Sequence, residues 1–199
     1  NAGQTCDALT RMLVPTSMYP QCVEIAKNVA SQHRAGDPED SATTVGPLVA
    51  MRQKSMVDHY LAIGIDEGAD VLVGGVGYPD GVEHGAFVKP TIFGNVTPVM
   101  RIAREEIFGP VLCILQYDDL EQAIEIANSS EFGLSSAVWA EDHAAAIKIA
   151  KRMRAGQCFI QGGGFRVDAP FGGFKQSGNG REWGAAGVDE YLETKAIIG

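Results

Sequence analysis

Residues 111–160 read VLCILQYDDLEQAIEIANSSEFGLSSAVWAEDHAAAIKIAKRMRAGQCFI, and the alternation of patterns in this stretch decides the fold class. Val111 to Leu115 is a short continuous apolar run, the kind that forms a strand covered on both faces. Leu120, Ala123, Ile124 and Ala127 then recur at helical spacing, and Ser135 to Ala140 reads as a second strand. Asp142 is placed to cap a further helix whose apolar face is Ala146, Ile149, Ala150 and Met153. Lys151, Arg152 and Arg154 suit the negative end of that helix, and Gly156 suits its stop. Cys158 to Ile160 resumes a strand. The order β-α-β-α-β, with crossover helices, predicts an α/β fold: a mostly parallel twisted sheet with flanking helices.

The same theme extends upstream. Arg11 to Pro15 reads as a strand, followed by a helical stripe of Cys22, Ile25, Ala26 and Val29. Residues 33–48 are polar with Gly and Pro, as in a long surface connection, and Met51 to Gly64 is helical. Ala69 to Gly75 reads as a strand entering a turn, with a loop or hairpin tip from Gly75 to Gly85. Eleven of the 24 glycines fall from Ala155 onward, so the last quarter is rich in turns.

At 199 residues the chain holds one domain of ~150 residues, or one with an appendage. Its 45% apolar and 21% charged residues are those of a soluble globular protein. The net charge of −9 offers no footprint for nucleic acid or anionic membranes, and no apolar run reaches the ~18 residues of a spanning helix. The chain opens at Asn1, already inside a structured motif, which is the expectation for a fragment or a processed chain. Cys6, Cys22, Cys113 and Cys158 form no CxxC pair and no zinc spacing. They are too sparse for a disulfide framework, so free thiols in a reducing, cytoplasmic compartment are expected.

Three segments could carry chemistry. In Asn1-Ala2-Gly3-Gln4-Thr5-Cys6 a Gly-containing turn delivers a Cys, and Asp7 to Thr10 could begin a helix behind it. A helix N-terminus favours a thiolate, the nucleophilic form, although most lone cysteines are small buried hydrophobes. Cys22, Cys113 and Cys158, on apolar faces or in an apolar run, read as core. In the second segment, Arg104 to Val111, Glu105 and Glu106 precede Phe-Gly-Pro at a strand end. It is either a solvated charged turn or a loop presenting a carboxylate and a ring to a ligand. The third, Pro170 to Glu182, has glycines and a Lys but neither GxxxxGK[ST] nor GxGxxG, so it reads as a surface connection or a close-packed turn near a pocket. His33, His59, His84 and His143 have no partner spacing and read as solvated.

In order and spacing, NAGQTC, EEIFGPV and PFGGFKQSGNGRE together resemble the aldehyde dehydrogenase superfamily. GPLVAMRQKSMVDHYLAIGIDEGADVLVGG, GAFVKPTIFGNV, EQAIEIANSSEFGLSSAVWAED and AGQCFI resemble its successive segments, so the likeness covers essentially the whole chain.

That resemblance implies a catalytic nucleophile at Cys6, whose backbone N–H also serves the oxyanion hole. It implies that Glu106 binds the nicotinamide ribose hydroxyls and that Phe108 packs near the nicotinamide of NAD or NADP, NAD being favoured. Residues 1–176 would be most of the catalytic domain. Residues 177–199 would return to a cofactor domain and begin the strand that joins subunits into a dimer or tetramer. Thr5, Asp7 and Phe165 are the expected aldehyde-selecting side chains, and no metal is expected. The family's Rossmann-like cofactor domain, the Glu of its E-L-G-G-K segment and its oxyanion-hole Asn have no counterpart here, so the chain alone is expected to be inactive. Gln161 stands where the family usually has Asn. The competing readings are a non-catalytic structural or binding remnant of the same fold, and a cofactor-free thiol esterase acting through Cys6.

Overall fold

The structure, a computed structural model, describes residues 1–199. Its strands are β1 (Arg11–Pro15), β2 (Asp70–Val73), β3 (Thr91–Val96), β4 (Val111–Tyr117), β5 (Ser135–Val138) and β6 (Gln157–Ile160). The helices are α1 (Tyr19–Ala30), α2 (Met51–Asp66), α3 (Arg101–Arg104), α4 (Leu120–Asn128), α5 (His143–Ala150) and α6 (Gly184–Asp189). The chain divides into two compact units, Asn1–Ser129 and Ser130–Gly199.

The first unit is built on a four-stranded sheet in the order β1-β4-β3-β2. Strand β4 pairs in parallel with both β1 and β3, and β2 closes one edge antiparallel to β3. The continuous apolar run of β4 is explained by its two buried faces. Val111, Cys113 and Leu115 point to one face, where they join Phe93 with Val57 and Leu61 of α2 and Ile102 of α3. Ile114 points to the other and packs with Val14, Ile92 and Val23 of α1. Phe93, Leu61, Ile114, Leu115 and Val57 are fully buried, each contributing roughly 1.5–3 kcal/mol relative to exposure. Gly64 lets α2 lie close to the sheet, since a Cβ there would meet Ile102 Cδ1 at 2.9 Å and Phe93 Cζ at 3.0 Å.

In the second unit β5 and β6 pair in parallel, from Ser135 opposite Gln157 to Val138 opposite Ile160. The crossover is α5, whose N-cap Asp142 accepts a hydrogen bond from Ala145 N at 2.7 Å. Pro170 to Glu182 is a close-packed turn: Phe171 and Glu182 exchange two backbone hydrogen bonds of 2.7 Å, and Arg181 donates to the carbonyls of Gly173 and Gly180.

The helices and mostly parallel sheets make this an α/β fold, with four departures from the pattern read in the sequence. Strands β4, β5 and β6 do not share one sheet, because both edges of β4 are already taken by β1 and β3. Strand β3 is unannounced, since Pro90 before it and Gly94-Asn95 within it look like breakers; Asn95 takes φ +51° and shifts the ladder register there. Asp7 to Thr10 begin no helix, because the Thr10 carbonyl already accepts from Cys113 N at 2.9 Å. Helix α5 ends at Ala150, and Gly156 instead admits the carbonyl of Gly172, which a Cβ would overlap. No helix is long and apolar enough to cross a membrane.

Candidate active site

The segment before Cys6 is a turn locked by its own polar side chains. Gln4 N donates to Asn1 O at 3.0 Å, Asn1 Nδ2 returns a bond to Gln4 O at 2.8 Å, and Gln4 Oε1 accepts from Val49 N at 2.9 Å. Ala2 is buried in the core, with φ +50° at Ala2 and +71° at Gly3. A hydrogen bond of 3.1 Å from Ala8 N to Thr5 O closes a second turn around Cys6. Thr5 and Cys6 are exposed and Asp7 is half-buried. The Cys6 N–H makes no hydrogen bond within the chain, so it is available to a ligand oxygen beside the thiol. With no helix behind it, Cys6 gets no help from a helix dipole.

The other cysteines are of a different character. Burial pushes the Cys113 thiol up to about 12, which keeps it protonated and inert. Cys22 and Cys158 are half-buried, and all four thiols are free. All four histidines are exposed, and no three or more His, Cys, Asp or Glu gather as a metal site.

Gly3 is the point where the Cys6 turn meets the Glu105–Pro110 segment. A Cβ on Gly3 would overlap the Gly109 carbonyl and lie 2.7 Å from Pro110 N, so only glycine permits this approach. The two adjacent carboxylates of that segment have different fates. Glu105 accepts from Arg101 Nε and Nη2 at 2.7 and 2.8 Å and from the Tyr60 hydroxyl at 2.9 Å. The Arg101 guanidinium draws its carboxyl down to about 2. Glu106 is exposed and makes no hydrogen bond within the chain. Phe108 is 36% exposed at φ +55°. A free carboxylate and a presented ring therefore stand two residues apart, beside the turn that carries Cys6. Chemically, such a carboxylate can accept from ligand hydroxyls and such a ring can lie against a flat ligand group.

Phe165 belongs to the second unit, where it is half-exposed and packs edge-on against Trp183 with ring centroids 4.8 Å apart. In that unit the Gln161 side chain accepts from Ala140 N at 3.1 Å and donates to Ala140 O at 2.7 Å, extending the β5–β6 pairing by one residue. Reading the sequence alone missed Gln53, whose Nε2 donates to Ile107 O at 3.1 Å and Phe108 O at 2.9 Å. The available signal was its place four residues before Val57 on one helix face.

The model of the aldehyde dehydrogenase family matches residues 1–197. A protein of Staphylococcus saprophyticus carrying an aldehyde dehydrogenase name is 45% identical over the whole chain, which covers 42% of that protein. Among solved structures, aldehyde dehydrogenase C of Pseudomonas syringae, a cysteine-to-alanine variant bound to NAD+ and octanal, superposes with a TM-score of 0.96 at 44% identity. It is matched over 99% of this chain and 41% of its own. The aldehyde dehydrogenase of Mycobacterium tuberculosis bound to NAD+ gives a TM-score of 0.92 at 42% identity, over 99% of this chain and 42% of its own. The chain thus spans less than half the length of the relatives it matches.

Proposed function

The chain belongs to the aldehyde dehydrogenase family, and from that premise we propose that it is the catalytic portion of an NAD(P)-dependent enzyme oxidising aldehydes to carboxylic acids. The Cys6 thiolate adds to the aldehyde carbon, and the Cys6 N–H hydrogen-bonds the developing oxyanion of the thiohemiacetal. Glu106 binds ribose hydroxyls and Phe108 backs the nicotinamide, a proximity role. When bound, the cofactor supplies the acceptor for the hydride that leaves this carbon. The product is a thioester on Cys6, which water cleaves to the acid and the free thiol. Thr5 and Asp7, which flank the nucleophile, and Phe165, from the resemblance alone, are assigned to aldehyde selection.

The observation that carries this reading is the Cys6 turn, exposed, with an unused N–H and packed through Gly3 onto Gly109. NAD is the favoured cofactor, because the Pseudomonas and Mycobacterium relatives were solved with NAD+. Octanal, bound in the Pseudomonas enzyme, is the aldehyde of first trial. The activity belongs to the full-length protein. The 199 residues hold no counterpart of the family's general-base Glu, so this chain alone is proposed to turn nothing over. The parent is proposed to be a cytoplasmic homo-oligomer, consistent with four free thiols and with Ile197 and Ile198 lying 92% and 91% exposed.

The test is NADH production from octanal and NAD+ by the full-length protein, with and without Cys6→Ala. Loss of at least three orders of magnitude in kcat is expected, and unchanged kcat in the variant rejects Cys6 as nucleophile.

A further inference from the structure

Helix α2 runs along the Glu105–Gly109 segment and touches it three times from one face. Gln53 Nε2 donates to the carbonyls of Ile107 and Phe108. One turn later Val57 packs on Gly109, where a Cβ would lie 2.6 Å from Val57 Cγ2. The Tyr60 hydroxyl then donates to Glu105. Of these three contacts, only the one from Gln53 holds the backbone between Glu106 and Phe108. Both of its partners are acceptors, so the side-chain amide can serve them only through its NH2 group, which fixes its orientation. Phe108 takes φ +55°, a left-handed conformation that a bulky residue rarely adopts unless its surroundings impose it. One donor shared between the carbonyls on either side of the Phe108 Cα spans the residue that takes this conformation.

We propose that Gln53 is a positioning residue that sets the Glu106 carboxylate and the Phe108 ring for the cofactor by anchoring the backbone of their turn. This rests on the reading that Glu106 and Phe108 hold the nicotinamide half of the cofactor. Gln53 itself need touch neither cofactor nor aldehyde.

Two measurements test it. In the 199-residue chain, Gln53→Met keeps the bulk and removes the donor, and the carbonyl carbon chemical shifts of Ile107 and Phe108, which report the hydrogen bonds those oxygens accept, are expected to move upfield. Those of Val57 to Leu61 should stay where they are, and unchanged shifts at Ile107 and Phe108 overturn the anchor. In the full-length protein the same variant is expected to raise KM for NAD+ at least tenfold, leaving KM for octanal and the rate of Cys6 alkylation as they were. Gln53→Glu, the same shape with an acceptor facing two carbonyls, should move both readouts further and replaces the Met variant if that one misfolds. A wild-type protein that turns over octanal, with variants of unchanged KM for NAD+, overturns the positioning role and leaves the functional reading intact. A wild-type protein inactive on every aldehyde rejects the functional reading, and the carbonyl-shift experiment still decides the anchor.

Discussion

Gly3 packs on the carbonyl of Gly109, and a methyl group on Gly3 would overlap that oxygen. The contact joins the turn that presents Cys6 to the turn that presents Glu106 and Phe108, and it needs both the missing side chain and φ +71° at Gly3. Gly3→Ala is therefore expected to cost about 2 kcal/mol through overlap and backbone strain. A urea midpoint within error of wild type would show that the two turns do not rely on this approach.

Glu106→Gln removes a charged acceptor that no residue of the chain engages. In the full-length protein it should raise the Kd for NAD+ about tenfold, the order of one charge-assisted hydrogen bond. Alkylation of Cys6 by iodoacetamide should proceed at the wild-type rate. Equal Kd values would remove Glu106 from the cofactor site.

Glu105 yields a prediction about pH. Arg101 lowers its folded carboxyl from an ordinary 4.5 to about 2, so its ion pair stabilises the fold above pH 4.5 and that gain fades as pH falls from 4.5 towards 2. The pair is exposed, so the gain is small and weakens further with added salt. Wild type should exceed Glu105→Gln in urea midpoint at pH 7, and the gap should narrow below pH 4.5. A gap constant over this range would contradict the ion pair as its source.

The four thiols should separate under native alkylation. Cys6 is exposed, whereas Cys113 is 1% exposed with its thiol raised to about 12. Peptide mass mapping should find Cys6 labelled first and Cys113 labelled only after unfolding. Early labelling of Cys113 would contradict its burial in β4.

Much of this was legible in the sequence because local chemistry fixes it. The apolar run of β4, the i, i+3, i+4 stripe of α4 and the Asp142 cap of α5 each state their own conformation. Strand β3 hid behind Pro90 and Gly94-Asn95, since the burial of Phe93 outweighs those breakers only once α2 and β4 are in place. The site split the same way. Cys6, Glu106 and Phe108 are candidates through the family resemblance, but adjacency could not tell which of Glu105 and Glu106 is tied off, because Arg101 and Tyr60 decide it in three dimensions. The Gly3–Gly109 approach and the Gln53 anchor join residues far apart in the chain, and no local pattern encodes such contacts.

The most direct measurement is to quench the full-length protein during turnover of octanal and NAD+ and map its cysteines by mass spectrometry. An octanoyl thioester on Cys6, absent without NAD+ and absent in Cys6→Ala, is the predicted result. NADH formation at full rate in Cys6→Ala, or an acyl group on another cysteine, would contradict the assignment of Cys6 as the nucleophile.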